Sequence, residues 1–235
     1  MTRAMAFGSN WETGTIGSNS LGDCRILYGM LLPRILLASA SPRRAELLTS
    51  AGFAFDVQPA DVDEHRLVGE APEAYCQRLA RTKAEAVAPL AAGRVVVAAD
   101  TIVVLGQDVM GKPVDHSEAR RMLARLSGCL HTVLTGVAVW ADDRALVGAI
   151  ESTSVEFASL TTDEIAWYVA SNEPMDKAGA YAIQGLASRF VTRIEGSYSN
   201  VVGLPVATLC RLLRKIDPIE LERYPESVSE QKVLT

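Results

Sequence analysis

The chain has 235 residues and a mass of 25.3 kDa, which is enough for one large α/β domain or two small ones without disulfide or metal support. Its composition, 49% hydrophobic, 22% charged and 6% aromatic with a mean hydropathy of +0.14, is typical of a globular protein and excludes wholesale disorder, collagen and coiled coil. The net charge of −5 argues against a general binder of nucleic acid or anionic membranes. A local basic pocket for one anionic metabolite remains compatible with that charge.

Cysteine spacing and hydropathy together predict a cytoplasmic protein. The cysteines are Cys24, Cys76, Cys129 and Cys210. They are too far apart for a CxxC pair, and reduced thiols are the simplest interpretation. No apolar run reaches the roughly 18 residues that a transmembrane helix needs. The run 26–40 looks like a signal peptide, but Pro33 and Arg34 interrupt it, so secretion is not favoured.

The two ends of the chain differ in composition from the middle. Residues 1–29 are rich in Gly, Ser, Asn and Thr without a helical or strand period, which predicts a flexible extension. Met30 directly precedes the first predicted strand, so a start of translation at Met30 is the alternative. Residues 217–235 are polar and charged, and predict a loose tail. The working domain is therefore predicted to be 30–216.

Strand-like and helix-like segments alternate through this domain, which favours an α/β or α+β fold. The β-branched, apolar run 95–105 predicts a buried strand. Thr161 and Glu164 form a capping box that predicts the start of a helix. The predicted strands are 34–38, 95–105, 132–140 and 146–160, with a turn at 141–144 before the last of them. The predicted helices are 42–50, 72–87, 115–126, 161–171 and 205–216.

The sequence SASPRR, which begins at Ser39, joins a predicted strand to a predicted helix. Ser41 takes the N-cap position and Pro42 the first helical position. Arg43 and Arg44 then lie where the positive end of the helix dipole disfavours cations. Two hydroxyls, two guanidinium groups and free backbone N–H groups make a site for a polyanion, most naturally phosphate. The alternative is that both arginines are solvated or paired with surface acids.

Asp100 places a carboxylate in an otherwise apolar strand, on the same side as Ala98 and Ile102. An unpaired buried charge is costly, so Asp100 must be paired, metal-bound or protonated, and each state marks it as a functional candidate. The alternative is a carboxylate that caps a neighbouring loop.

Two lysines are weaker candidates for contact with an anion. Lys83 lies on the helical stripe of Tyr75 and Leu79 and so faces inward, unless its stem carries the ammonium out to solvent. Lys112 follows a glycine turn, in a loop that could present an ammonium to phosphate.

Several familiar sites are absent from the sequence. The histidines lack metal-binding spacing, and there is no P-loop, dinucleotide-binding or serine-hydrolase motif. The remaining carboxylates, Asp63, Glu64 and Asp100, together with Arg and Lys, suit Mg²⁺ or Mn²⁺ bound with substrate phosphates.

The run Ile35–Leu48 (ILLASASPRRAELL) resembles the opening of the Maf family of nucleoside triphosphate pyrophosphatases. The resemblance continues in order as far as about residue 213. Its segments are 62–64 (VDE), 79–84 (LARTKA), 99–101 (ADT), 111–113 (GKP), 126–128 (LSG), 176–185 (DKAGAYAIQG) and 202–205 (VGLP). Such a series of spaced matches is far more specific than any single motif.

The resemblance implies an α/β fold shared with inosine triphosphatases, in which helices flank an elongated mixed central sheet and the nucleotide lies in a cleft. It also implies cleavage of the α–β phosphoanhydride (EC 3.6.1.9 type) with a divalent cation, Mg²⁺ or Mn²⁺. Asp100 matches the family's proton acceptor and Glu64 a second catalytic acid, and both are the expected metal ligands. The matching phosphate-binding positions are Ser39, Ser41, Arg43, Arg44, Lys83 and Lys112.

Substrate choice is implied by three further matches. Arg43, Thr101 and Gln184 are the residues of the branch that acts on dTTP and UTP, whereas a sister branch that prefers 7-methyl-GTP carries Trp, Gln and Glu. We therefore expect hydrolysis of dTTP and UTP as a housecleaning activity, with modified pyrimidine nucleotides as a further candidate class of substrate. The alternatives are a 7-methyl-GTP pyrophosphatase or a nucleotide-binding regulator of septum formation. The expected partner is the nucleotide alone, without nucleic acid or membrane, and a homodimer is left open.

Overall fold

The structure is a computed structural model that describes residues 25–27, 30–32, 34–141 and 146–216. Two short strands, β1 (Arg25–Leu27) and β2 (Met30–Leu32), pair antiparallel. The rest of the predicted extension 1–29, the tail 217–235 and most of the predicted turn 141–144 lie outside the described residues. The domain boundaries and the start at Met30 therefore stay predictions.

A mixed sheet of seven strands forms the centre of the described structure. Its strands are β3 (Ile35–Leu37), β4 (Phe55–Val57), β5 (Val95–Leu105), β6 (Asp108–Met110), β7 (Leu130–Trp140), β8 (Val147–Phe157) and β9 (Val191–Glu195). They lie in the order β4-β3-β5-β7-β8-β9, and β6 pairs with β5. β3 is parallel to β4 and β5, and the other pairings are antiparallel. The expected fold class, an α/β protein with a mixed central sheet, is confirmed.

Helices and 3₁₀ turns cover this sheet. The helices are α1 (Pro42–Ser50), α2 (Pro72–Val87), α3 (His116–Leu126), α4 (Thr162–Ala170), α5 (Tyr198–Val202) and α6 (Val206–Ile216). The 3₁₀ turns are Ala88–Leu90, Glu173–Asp176, Ala178–Ala180 and Leu186–Phe190. None of the helices in the described ranges combines the length and hydrophobicity that a membrane span requires.

Local sequence patterns explain most of these boundaries. The predicted capping box is present, since Thr161 Oγ1 accepts the Glu164 N–H and Glu164 Oε2 accepts the Thr161 N–H. At α1 the expected cap is wrong in one respect. Ser41 has the extended N-cap backbone but makes no capping bond, and its own N–H donates to Ser39 Oγ at 3.2 Å. β8 ends at Phe157 rather than at residue 160, and beyond this end the Leu160 N–H donates to Ser127 Oγ at 2.7 Å.

Alternate residues of β5 face two different layers, as the period of a strand requires. Ala98 and Ile102 pack with residues of α2, whereas Val97 and Ala99 pack with the layer that contains α6. α2 comes very close to the sheet at Gly136 of β7, where an added Cβ would lie 2.5 Å from a backbone carbonyl oxygen of α2. This close packing brings the side chains of α2 against the middle of β5.

One edge of β5 is open at its centre. β3 pairs with residues 95–97 of β5 and β6 with residues 103–105, both on the edge opposite β7. In the part of the sheet that the structure describes, residues 98–102 therefore have no strand partner on that edge. Because no strand closes this edge, side chains from both faces of β5 can border one cleft at the opening.

Candidate active site

A cleft of about 520 Å³ lies at this opening in the sheet. Its walls come from the β3–α1 connection, the centre of β5, the loop after β6, the segment 176–184 and the start of the α5–α6 connection. Asp63, one of the three carboxylates predicted for a metal site, does not line the cleft; it is exposed and accepts the His65 N–H at 2.9 Å. The other site residues predicted from the sequence all line the cleft. They are Ser39, Ser41, Arg43, Arg44, Glu64, Lys83, Asp100, Thr101, Lys112 and Gln184.

The buried carboxylate of Asp100 is paired with Lys83. The Lys83 ammonium donates to Asp100 Oδ1 at 2.6 Å, and the two residues are only 8% and 7% exposed. α2 delivers Lys83 from the inward stripe of the helix, as its spacing predicts. The same ammonium lies 2.6 Å from Glu64 Oε1, in the segment between β4 and α2. One cation thus holds two carboxylates together in the cleft.

Glu64 is half-exposed, and its environment favours the ionised form. Partial burial opposes ionisation, but the hydrogen bond from Lys83 and the charges of Lys112 and Arg44 outweigh it. The pKa of Glu64 therefore lies below its ordinary value. Lys112 is exposed at the rim and adds positive charge to this side of the cleft.

Arg44 is held by acceptors from three parts of the chain. Its Nε donates to Gly203 O at 2.8 Å, its Nη1 to Ser39 Oγ at 2.9 Å and its Nη2 to Thr101 Oγ1 at 3.2 Å. Burial lowers the pKa of the guanidinium, and the nearby carboxylate of Asp100 counteracts this. Arg44 thus joins α1, β5 and the α5–α6 connection, a role that the phosphate-binding prediction did not include.

The hydroxyl of Thr101 lies in a small hydrogen-bond network. Thr135 Oγ1 donates to Asn200 O at 3.2 Å and lies 3.0 Å from Thr101 Oγ1. Thr101 Oγ1 accepts from Arg44 Nη2, and its own proton has two acceptors within reach, Thr135 Oγ1 and Gly203 O at 3.4 Å. This network fixes the rotamer of Thr101 and presents the rest of its side chain at the cleft.

A second ion pair joins two sides of the cleft. Arg43 Nη1 lies 3.3 Å from Asp176 Oδ2, and Asp176 also contacts the Lys177 ammonium. Partial burial raises the pKa of Asp176, but both cations outweigh this and hold it below the ordinary value. The sequence alone predicts no role for Asp176 or Lys177. The opposite charges of these two residues, at the start of the 176–185 motif, are the only feature of the sequence that could have marked them as functional candidates.

The carboxylates of the cleft are compatible with a divalent cation that takes its remaining ligands from the substrate. Among the described residues, no group of three or more His, Cys, Asp and Glu side chains could hold a metal ion. Glu64 and Asp100 still supply two carboxylates beside one ammonium. Mg²⁺ is commonly held by one or two carboxylates together with substrate phosphates, so this pair is compatible with that type of site.

Residues 34–216, which contain the whole cleft, match the family model described as Maf-like protein. The chain belongs to the Maf family. The resemblance drawn from the spaced motifs is thereby confirmed.

Relatives within the Maf family are similar over most of their length. The dTTP/UTP pyrophosphatase of Anaeromyxobacter dehalogenans strain 2CP-C is 55% identical over 188 residues, which cover 79% of this chain and 95% of the relative. The dTTP/UTP pyrophosphatase of Geobacter sulfurreducens is 54% identical over 184 residues, covering 78% and 96%. Among solved structures, the Ham1 protein of Staphylococcus aureus is 16% identical with a TM-score of 0.43, covering 77% of this chain and 98% of that protein.

Proposed function

We propose that this protein hydrolyses dTTP and UTP to the nucleoside monophosphate and pyrophosphate. The observation that carries the proposal is the buried Lys83–Asp100 pair beside Glu64, in a cleft that cations line on both sides. Two further facts support the choice of substrate. Maf relatives that are more than half identical to this chain carry the name dTTP/UTP pyrophosphatase, and Arg43, Thr101 and Gln184 line the same cleft.

The chemical step needs a base and charge neutralisation rather than a protein nucleophile. A water oxygen attacks the α-phosphorus, its proton passes to the Asp100 carboxylate, and the bond from the α-phosphorus to the bridging oxygen breaks. The electron pair leaves with pyrophosphate. Lys83 fixes the orientation of Asp100, while Arg43, Lys112 and the backbone N–H groups at the start of α1 bind the phosphates.

A divalent cation, Mg²⁺ or Mn²⁺, would be held by Glu64 and Asp100. When bound, it would neutralise the charge of the phosphate oxygens. Lys83 stands beside both carboxylates and keeps them in place before substrate arrives.

The setting that we propose for this activity is the cytoplasm, as a housecleaning reaction on the nucleotide pool. The cysteines that the structure describes, Cys76, Cys129 and Cys210, are all free. Free thiols are typical of a reducing compartment.

Pyrophosphate release from a panel of dTTP, UTP, dCTP, GTP and 7-methyl-GTP, with Mg²⁺ and with Mn²⁺, tests the proposal. We expect dTTP and UTP to be the preferred substrates. Asp100→Asn should lower kcat by about 10²- to 10⁴-fold, the usual contribution of a general base, while calorimetry shows retained dTTP binding. Asp108→Asn, a surface change beside Arg125, is the matched control and should leave kcat unchanged.

Three results would contradict parts of this assignment. Activity confined to 7-methyl-GTP would overturn the pyrimidine substrate. Hydrolysis by Asp100→Asn at the wild-type rate would overturn the base. If overproduced Asp100→Asn blocks septation as well as the wild type does, nucleotide binding rather than hydrolysis is the function.

A further inference from the structure

The loop that carries Gln184 is anchored on both sides. The Ala182 N–H donates to Tyr168 Oη at 3.1 Å, and the Leu186 N–H donates to Glu173 Oε2 at 3.0 Å. Gln184 lies midway between these two anchored amides, and its exposed side chain lines the cleft. The position of Gln184 therefore depends on two acceptors outside its own loop.

The two acceptors are themselves joined. Tyr168 Oη donates to Glu173 Oε1 at 2.9 Å, so one hydroxyl and one carboxylate form a continuous chain from Ala182 to Leu186. Tyr168 is 0% exposed, and its ring packs edge-on against Phe190 with centroids 5.3 Å apart. Burial raises the pKa of Tyr168, so the phenol keeps the proton that it donates.

The carboxylate of Glu173 occupies the space beside Gly185 in this loop. A Cβ built on Gly185 would lie 2.4 Å from both carboxylate oxygens of Glu173. No side chain fits there without displacing the carboxylate. The absence of a side chain at residue 185 is therefore what lets Glu173 reach the Leu186 amide.

The same 3₁₀ turn also reaches the opposite wall of the cleft. Glu173 begins the turn and Asp176 ends it, and Asp176 makes the ion pair with Arg43. Lys177 ties the two ends together, since its ammonium donates to Glu173 O at 2.7 Å and contacts Asp176. One short turn thus contacts the loop of Gln184 and the side chain of Arg43.

We propose that Tyr168 and Glu173 are positioning residues for base selection, which act by fixing the backbone on either side of Gln184. This inference rests on the proposed function, because it takes Gln184 to contact the pyrimidine base. Neither residue is among those that line the cleft, so both act through the loop. Loss of the anchors lets the loop sample other conformations and weakens the discrimination between bases. Lys112 and the backbone N–H groups at the start of α1, which are proposed to bind the phosphates, contact neither Tyr168 nor Glu173 and keep their positions.

Tyr168→Phe is the decisive variant, because it removes both hydrogen bonds of the hydroxyl and keeps the buried ring. We expect the ratio of kcat/KM for dTTP to that for dCTP to fall about tenfold, because of the two lost bonds only the one from the Ala182 N–H holds the loop itself. The change should lie in KM for dTTP, whereas the inhibition constant of inorganic tripolyphosphate, which probes the phosphate groups alone, stays constant. Tyr198→Phe, at an exposed tyrosine, is the matched control.

A double-mutant cycle with Gln184→Ala separates positioning from general stability. If Tyr168 acts through Gln184, Tyr168→Phe has no further effect on the dTTP to dCTP ratio once Gln184 is alanine. Glu173→Gln, which keeps the shape but loses one accepting oxygen, should lower the ratio by less than Tyr168→Phe does.

The outcomes distinguish this inference from the function on which it rests. If the wild type prefers dTTP and the dTTP to dCTP ratio is the same in Tyr168→Phe, the positioning role alone is overturned. Additive effects in the cycle, or an equal loss for every nucleotide, also overturn it. A wild type without preference for dTTP and UTP overturns the proposed substrate, and the positioning role falls with it.

Discussion

Lowering the pH from 7.5 to 4.5 should destabilise the protein through a single buried imidazole. His131 is 2% exposed on β7, its Nε2 lies 2.9 Å from Tyr181 Oη, and the rings of Phe157 and Tyr181 meet it edge-on. Burial lowers the pKa of His131 from its ordinary value of 6.5 to about 4. The folded protein therefore keeps this imidazole neutral at pH values where the unfolded chain binds a proton.

The sign and size of the effect follow from linkage. A histidine whose pKa is lowered by folding leaves the free energy of unfolding unchanged at pH values above the unfolded pKa. As the pH falls from 6.5 towards 4, it lowers the free energy of unfolding by an increasing amount. Each pH unit in that window is worth about 1.4 kcal/mol. The difference of roughly 2.5 units between the two pKa values gives up to about 3 kcal/mol, of which about 2.5 kcal/mol is lost by pH 4.5.

Urea unfolding of the wild type and His131→Gln at both pH values measures this contribution. Glutamine can still hydrogen bond to Tyr181 but does not titrate, so its free energy of unfolding should fall by about 2.5 kcal/mol less than that of the wild type. Carboxylates that titrate in the same range cancel in the comparison. His116→Gln, at an exposed histidine, is the control. Equal losses in wild type and His131→Gln would refute the reasoning.

Two further substitutions test how the cleft is held together. Gly136→Ala should cost about 1–3 kcal/mol of unfolding free energy in urea and lower kcat, because the new methyl displaces the helix that carries Lys83. Gly148→Ala on β8 is the control, because a Cβ at this position would lie 3.1 Å from its nearest atom. This change should lower the unfolding free energy by less and leave kcat unchanged. Arg44→Lys should cost about 2 kcal/mol because one ammonium cannot reach three acceptors, whereas Arg43→Lys should cost less than about 1 kcal/mol. Equal costs within either pair would contradict the contacts described for Gly136 and Arg44.

Local patterns predict the parts of the fold that depend on neighbouring residues. The apolar run 95–105 forms β5 with the predicted bounds, and the helices 42–50 and 72–87 are likewise confirmed. The signal is the β-branched, apolar composition for the strand and a proline at the first helical position for the two helices, and both act within a few residues. The strands β4, β6 and β9 were not predicted, because each contains a charged residue and none forms a continuous apolar run like those of β3 and β5.

Contacts between residues far apart in the chain are the part of the site that could not be predicted from the sequence. The sequence identified ten of the side chains that line the cleft, because spaced motifs reveal them one by one, but it predicted no role for Asp176 or Lys177. It could not show that Arg43 would meet Asp176, which is 133 residues away, or that Arg44 would be engaged by Gly203. A guanidinium near a helix start looks the same in sequence whether its acceptors belong to a phosphate or to the protein.

The open edge of β5 places adjacent residues of one strand beside the same cavity from opposite faces. Asp100 points to the layer of α2 and Thr101 to the layer of α1, yet both border that cavity. The two residues are therefore neighbours in the chain that pack against different layers. Under the proposed function, a lineage could exchange the side chain at 101, and with it the preferred base, while the acid at 100 keeps its lysine. Substrate range and catalytic power would then be separable along a single strand.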